Sequence, residues 1–265
     1  MPVRVETVTR IEDAARVVAS NRAARIYGGG TLLMRAVNEA DPGFDTLVVA
    51  ADPALKDIRS EGDRMTIGAG VTMAQILASR DLAILAPAAR IIGGPAVRTA
   101  ATVGGNLFAP PPYGEFTTAL LALGATILLA GGGAALPMEE FLRDRGPSRV
   151  VRAISIPRLD PNAFRFRKVT RVKPRGAAIL SIAVVLPQWG GRELRVAFNN
   201  MGPMPMRARA VERALEGARI DEQGTARAVS VATEGLAPPT DALASEWYRR
   251  EVAGVHLKRL LLGSA

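Results

Sequence analysis

The chain has no cysteine and a single histidine, His256, so whole classes of chemistry are closed to it. Disulfides and cysteine-ligated iron–sulfur clusters are excluded, and a histidine-based zinc site or a Ser-His-Asp triad lacks its parts. Any redox chemistry must therefore reside in a bound organic cofactor. Long hydrophobic runs are missing as well. No stretch approaches the length needed to span a bilayer, and the opening Met-Pro-Val-Arg-Val-Glu lacks the apolar segment of a signal peptide. A cytoplasmic protein is the expectation. Aromatics make up only 5% of residues, and no aromatic-rich or helix-turn-helix pattern accompanies the basic charge. That speaks against nucleic acid as a partner.

What is present reads as an ordinary globular protein. At 265 residues the chain can bury a full core and form two or three compact units. Its net charge of +9 is concentrated. Eleven Lys and Arg lie between Arg143 and Arg175 against only Asp144 and Asp160, so this segment by itself accounts for the whole excess. It reads as a solvated surface, a contact for ligand phosphates or a face for an acidic partner.

Two short glycine turns stand out, each after an apolar run read as strand-like. Arg25-Ile26-Tyr27 leads into Gly28-Gly29-Gly30-Thr31, and Pro95-Ala96-Val97-Arg98 precedes Thr102-Val103-Gly104-Gly105-Asn106. Consecutive glycines let backbone approach a ligand and aim N–H groups at an anion, and two such turns suit a long ligand with a central diphosphate. The first is neither a Rossmann fingerprint nor a P-loop, since the third glycine and the Gly-Lys-Ser/Thr are both missing. A third cluster, Gly131-Gly132-Gly133, reads as a hairpin turn.

Periodicity predicts a βαβαβ-like unit over the first fifty residues, with a helix from Thr9 and a capping box formed by Thr9 and Glu12. A second unit restarts near Asp57, with a strand at Met65–Ala69 and a helix capped by Thr72 and Gln75. Helices are expected over Leu82–Ile92 and Thr117–Leu123, and strands at Thr126–Leu129 and Val150–Ile156. After a boundary near Pro157, strands at Phe164–Val169, Ala178–Leu186 and Glu193–Phe198 and helices at Arg207–Leu215 and Ser245–Leu262 make a small antiparallel α+β unit. Trp247 and Tyr248 are expected to pack.

The run Ile91 to Leu107, with Glu115 and Ala119-Leu120-Leu121-Ala122-Leu123-Gly124-Ala125 after it, resembles the FAD-binding subunits of molybdenum hydroxylases. That family includes carbon monoxide dehydrogenase medium chains and the flavin domain of xanthine dehydrogenase. Gly28 to Leu33 is similar to its first flavin loop and Thr102 to Asn106 to its second. Val150–Pro157, Lys168-Val169-Thr170-Arg171 and Glu246-Trp247-Tyr248-Arg249-Arg250 resemble later segments, so the likeness spans nearly the whole chain.

The resemblance implies an α+β protein. A two-subdomain FAD-binding fold of the vanillyl-alcohol oxidase (PCMH) type would fill residues 1–158, with subdomains of about 1–55 and 56–158, followed by a flavoprotein C-terminal domain at 159–265. It implies FAD with its diphosphate on both turns, contacted by Gly28, Gly29, Gly30, Thr31, Leu32, Leu33, Thr102, Gly104, Gly105 and Asn106. Ile92, Glu115, Val151 and Lys168 would complete the contacts, although Ile92 and Val151 would suit the core of any fold. Leu32 stands where the family has Ser or Asp, and Glu115 replaces an Asp. No residue of this chain is assigned to substrate catalysis.

The implied function is electron transfer. Molybdopterin would sit on a large partner subunit and [2Fe-2S] clusters on a small one, in a dimer of heterotrimers, with electrons leaving FAD to an external acceptor. A stand-alone FAD-dependent oxidoreductase and a basic anion- or nucleic-acid-binding module are the alternatives.

Overall fold

Short apolar runs broken by glycine and proline give short elements. The computed structural model describes residues 3–40, 43–172, 176–187 and 194–263. The first elements are β1 (Arg4–Val8), α1 (Ile11–Ser20), β2 (Ala24–Ile26), α2 (Leu33–Asn38) and β3 (Thr46–Ala50). Next come β4 (Ile58–Glu61), β5 (Arg64–Gly68), α3 (Met73–Ala78), α4 (Ala86–Arg90), α5 (Pro95–Ala100), α6 (Val103–Leu107) and α7 (Glu115–Ala122). β6 (Thr126–Leu129), β7 (Leu136–Pro137), α8 (Met138–Arg143), β8 (Val151–Pro157) and β9 (Phe164–Thr170) follow. The chain closes with β10 (Ala178–Val185), β11 (Arg195–Asn199), β12 (Met206–Arg207), α9 (Arg209–Ala214), α10 (Ala226–Ser230) and α11 (Glu246–Leu262). Lys173 and Arg175 of the basic stretch, and Glu193 of the expected strand, lie outside the described residues.

Three local expectations change. α1 starts at Ile11, two residues beyond Thr9, so Thr9 and Glu12 are out of capping-box register. The Asp52 carboxylate takes over the cap, accepting from the Ile11 N–H at 3.1 Å. Pro95–Arg98 is helical rather than extended, because proline at N1 presets φ for a first helical turn. The helix expected over Leu82–Ile92 shrinks to a 3₁₀ turn at Ala83–Leu85 and the five residues of α4.

Contacts divide the chain into two units. The first comprises Met1–Ser79, Gly93–Ala109 and Gly124–Arg158. Its parallel sheet has the order β1-β3-β2, and α1 turns Ile11, Ala14 and Val18 inward. Its second sheet, β4-β5-β8-β6-β7, is antiparallel throughout. β8 holds the middle with Ile154 and Ile156 buried. α3 carries the expected Thr72–Gln75 capping box, and a bridge between Thr72 and Thr102 ties the start of α3 to the start of α6.

The second unit comprises Arg80–Ile92, Pro110–Leu123 and Leu159–Ala265. Its antiparallel sheet has the order β12-β11-β10-β9. β10 is buried along its whole length because both faces are covered, which is why Ala178–Val185 is almost unbroken apolar sequence. Leu180, Ile182, Val184 and Phe198 pack with Val211, Ala253 and Leu257 of α9 and α11. Alternation turns Ile179, Ser181 and Ala183 to the other face, where α7 lies across β10 and β11.

Candidate cofactor site

The first glycine turn begins where β2 ends. Tyr27 N–H still donates to Val48 O at 2.8 Å, after which the chain leaves the sheet. The N–H groups of Gly28, Gly29, Gly30 and Thr31 have no acceptor among the described residues. Gly30 sits at φ +69°, a left-handed conformation that a side chain would strain.

The second turn is the opening of α6. Thr102 is its N-cap, with Oγ1 accepting the Gly105 N–H at 3.0 Å. Gly104 N–H donates to Ala69 O at 2.8 Å, and the Asn106 backbone and side-chain amides donate to Thr102 O at 3.0 and 2.8 Å. The amides of Gly104 and Gly105 are thus engaged within the protein, whereas four unclaimed backbone donors stand in a row on the first turn.

The turns meet, although about seventy residues of chain separate them. A Cβ on Gly28 would lie 2.7 Å from Thr102 Oγ1 and 3.7 Å from Gly105 Cα, and one on Gly29 would lie 1.7 Å from the Ala100 carbonyl oxygen. Glycine is required there so that the two backbones can touch. Thr31 is exposed, Leu32 and Leu33 are half-buried, and Val151 is buried on β8 opposite Leu129 of β6.

Ile92, Glu115 and Lys168 belong to the second unit. Ile92 is half-buried beyond α4. Glu115 opens α7 at 3% exposure; its Oε2 accepts from Gly114 N–H at 3.0 Å and its Oε1 lies 2.8 Å from Lys168 Nζ. Lys168, on β9, stands opposite Ser181 of β10, which in turn faces Asn199 of β11.

Residues 1–159 match the model of the FAD-binding domain in molybdopterin dehydrogenase, and residues 165–264 match the CO dehydrogenase flavoprotein C-terminal domain. This chain belongs to the molybdopterin dehydrogenase FAD-binding family. It is similar to the glyceraldehyde dehydrogenase medium chain of Sulfolobus acidocaldarius, at 26% identity over 96% of this chain and 94% of that one. It is 29% identical to the carbon monoxide dehydrogenase medium chain of Afipia carboxidovorans, over 77% of this chain and 76% of that one. Among solved structures, carbon monoxide dehydrogenase of Hydrogenophaga pseudoflava superposes with a TM-score of 0.89 at 25% identity, covering 98% and 96% of the two chains. The chain is thus an FAD flavoprotein of the molybdenum hydroxylase group, an oxidoreductase component.

The family's cofactor fits what the residues offer. Four backbone donors without acceptors, side by side on one turn, suit a diphosphate, whose oxygens only accept. Glu115 fits a ligand role less simply, since both its oxygens are already engaged.

Several residues of the basic stretch are engaged in local pairings. Arg149 pairs with Asp144, Arg143 with Glu139 at 3.6 Å, and Arg158 donates to Ser60 Oγ at 2.8 Å. Arg145 donates to Leu107 O at 3.0 Å, and burial draws its pKa below the ordinary arginine value. Arg165 holds the final carbonyls of α11, at Leu260 and Leu261. Near the chain's end the expectation reverses. Trp247 is 68% exposed and Tyr248 41%, whereas Arg249 between them and Arg250 is fully buried. Helical spacing could have found this, since Arg249, Ala253, Leu257 and Leu260 share one face.

Proposed function

We propose that this chain is the medium, FAD-carrying subunit of a molybdenum hydroxylase complex. It would take electrons from iron–sulfur clusters of a small partner subunit and pass them to an external acceptor, while a large molybdopterin subunit oxidises the substrate. A dimer of such heterotrimers in the cytoplasm completes the reading. One observation carries it: the acceptor-free amides of Gly28–Thr31, pressed against the second turn inside the segment that matches the FAD-binding family. The relatives named as medium chains support the subunit assignment. So does the absence of cysteine, which leaves cluster ligation to another chain.

Bound FAD would supply the redox chemistry that these side chains lack. The amides of Gly28, Gly29, Gly30 and Thr31 would hold its diphosphate, and Gly104, Gly105, Thr102 and Asn106 would form the rigid wall beside them. Leu32, Leu33 and Val151 would add apolar contacts. Ile92, Glu115 and Lys168 are proposed as cofactor contacts on the family resemblance alone. The FAD-binding role falls to residues 1–158, with 159–265 as the C-terminal flavoprotein domain.

The test is purification of the tagged chain from its native host. Flavin absorbance together with two further subunits, molybdenum and iron is the expected result. A lone flavoprotein that turns over its own substrate would replace this reading with a stand-alone oxidoreductase. Protein without flavin that binds nucleic acid in a salt-dependent way would replace both.

A further inference from the structure

Tyr27 has no role in the site as described, yet it stands at the foot of the first glycine turn. Its ring lies directly over Gly30: a Cβ there would fall 2.4 Å from the Tyr27 hydroxyl oxygen and 2.6–2.7 Å from the nearest ring carbons. Gly30 therefore gives the phenol room at the turn, and its left-handed φ brings the backbone up beneath it. The side chain is half-buried, and its hydroxyl has no hydrogen-bond partner among the described residues. Its own backbone N–H is fixed to Val48 O at 2.8 Å, which anchors the residue to the end of β2.

The hydroxyl is thus a further donor beside four backbone N–H groups that also lack acceptors. Half-exposed donors like these are solvated in the free protein, and the oxygens of an anion can take the place of that water. We propose that Tyr27 is a binding residue for the cofactor diphosphate, donating its phenolic hydrogen to a phosphate oxygen held by the Gly28–Thr31 amides. This rests on the FAD-binding reading of the turn. A hydrogen bond to a charged oxygen is among the stronger ones, so loss of the hydroxyl should be measurable in the affinity itself.

Tyr27→Phe keeps the ring over Gly30 and removes only the donor. Flavin-fluorescence titration of the full chain, stripped of FAD and reloaded, should show about tenfold weaker FAD binding, or about 1.4 kcal/mol. The ³¹P resonances of the bound diphosphate should move, and the melting temperature of the stripped protein should stay the same. Unchanged affinity in the variant overturns the assignment of Tyr27. Weaker binding with unmoved ³¹P signals also overturns it, because the hydroxyl then acts elsewhere on the cofactor. Should the variant fold poorly, wild-type chain labelled with 3-fluorotyrosine gives the answer: a Tyr27 ¹⁹F signal unaffected by FAD overturns the proposal. If the wild-type chain takes up no FAD at all, the reading of the turn itself fails.

Discussion

Gly29 has the tightest surroundings of the site's glycines. With the Ala100 carbonyl oxygen 1.7 Å from where its Cβ would stand, Gly29→Ala must push the two turns apart. Overpacking of this kind costs about 1–3 kcal/mol. The variant should melt lower and retain less flavin per chain, read from the ratio of visible to ultraviolet absorbance. Glu115 and Lys168 form a pair with side chains only 4% and 12% exposed. Glu115→Gln leaves the ammonium buried without its counter-charge, a loss of about 3 kcal/mol. Adding Lys168→Met should return part of it, and denaturant unfolding of both variants checks this. The residue types of this site were legible in the sequence, as glycines after an apolar run. Which amides are free was not, because the acceptor for Gly104, Ala69 O, comes from a strand end thirty-five positions away.

At the scale of elements, the closing helix shows how a loop is held. Arg249 donates to Ile179 O and Ala244 O at 2.9 Å, to Pro239 O, and to both oxygens of Asp241 at 2.9 Å. Burial pushes the Asp241 pKa up, but the hydrogen bonds from Arg249 and from the Leu243 and Ala244 amides outweigh it and hold the carboxyl below its usual range. A depressed folded pKa means that this stabilisation is present above the unfolded value of about 3.9 and fades as pH falls through the folded one. Asp241→Asn should therefore be less stable than wild type at pH 7, with the gap closing below about pH 4 in a series of melting curves. Since the Asp241 side chain is 41% exposed, the pH-dependent part should be about 1 kcal/mol or less. Elements with strong local signals were legible: the α3 capping box, β6 and the closing helix α11 stand where sequence expects them. The Thr9 box failed because a distant carboxylate, Asp52, offered α1 a cap that local spacing cannot reveal.

At the scale of the whole molecule, the compact units do not follow chain order. α7 lies between segments of the first unit in sequence but packs against β10, β11 and β12 of the second. All eight of its residues are buried, Phe116 and Leu120 completely. A fragment ending at Arg158 would keep α7 and lose the sheet that covers it. It should bind a hydrophobic dye or aggregate where the full chain does neither, and a dye-silent, monomeric fragment would contradict this. Family and flavin cofactor could be read from the chain through the resemblance of its glycine motifs, and most of the elements from local patterns. That the two glycine turns touch, that the Gly104 and Gly105 amides are taken while those of Gly28–Thr31 are free, and that α7 joins the C-terminal sheet emerges with the fold. Those outcomes depend on contacts between residues distant in the chain, made where glycine lets backbones meet and where an apolar helix finds a sheet face to cover it.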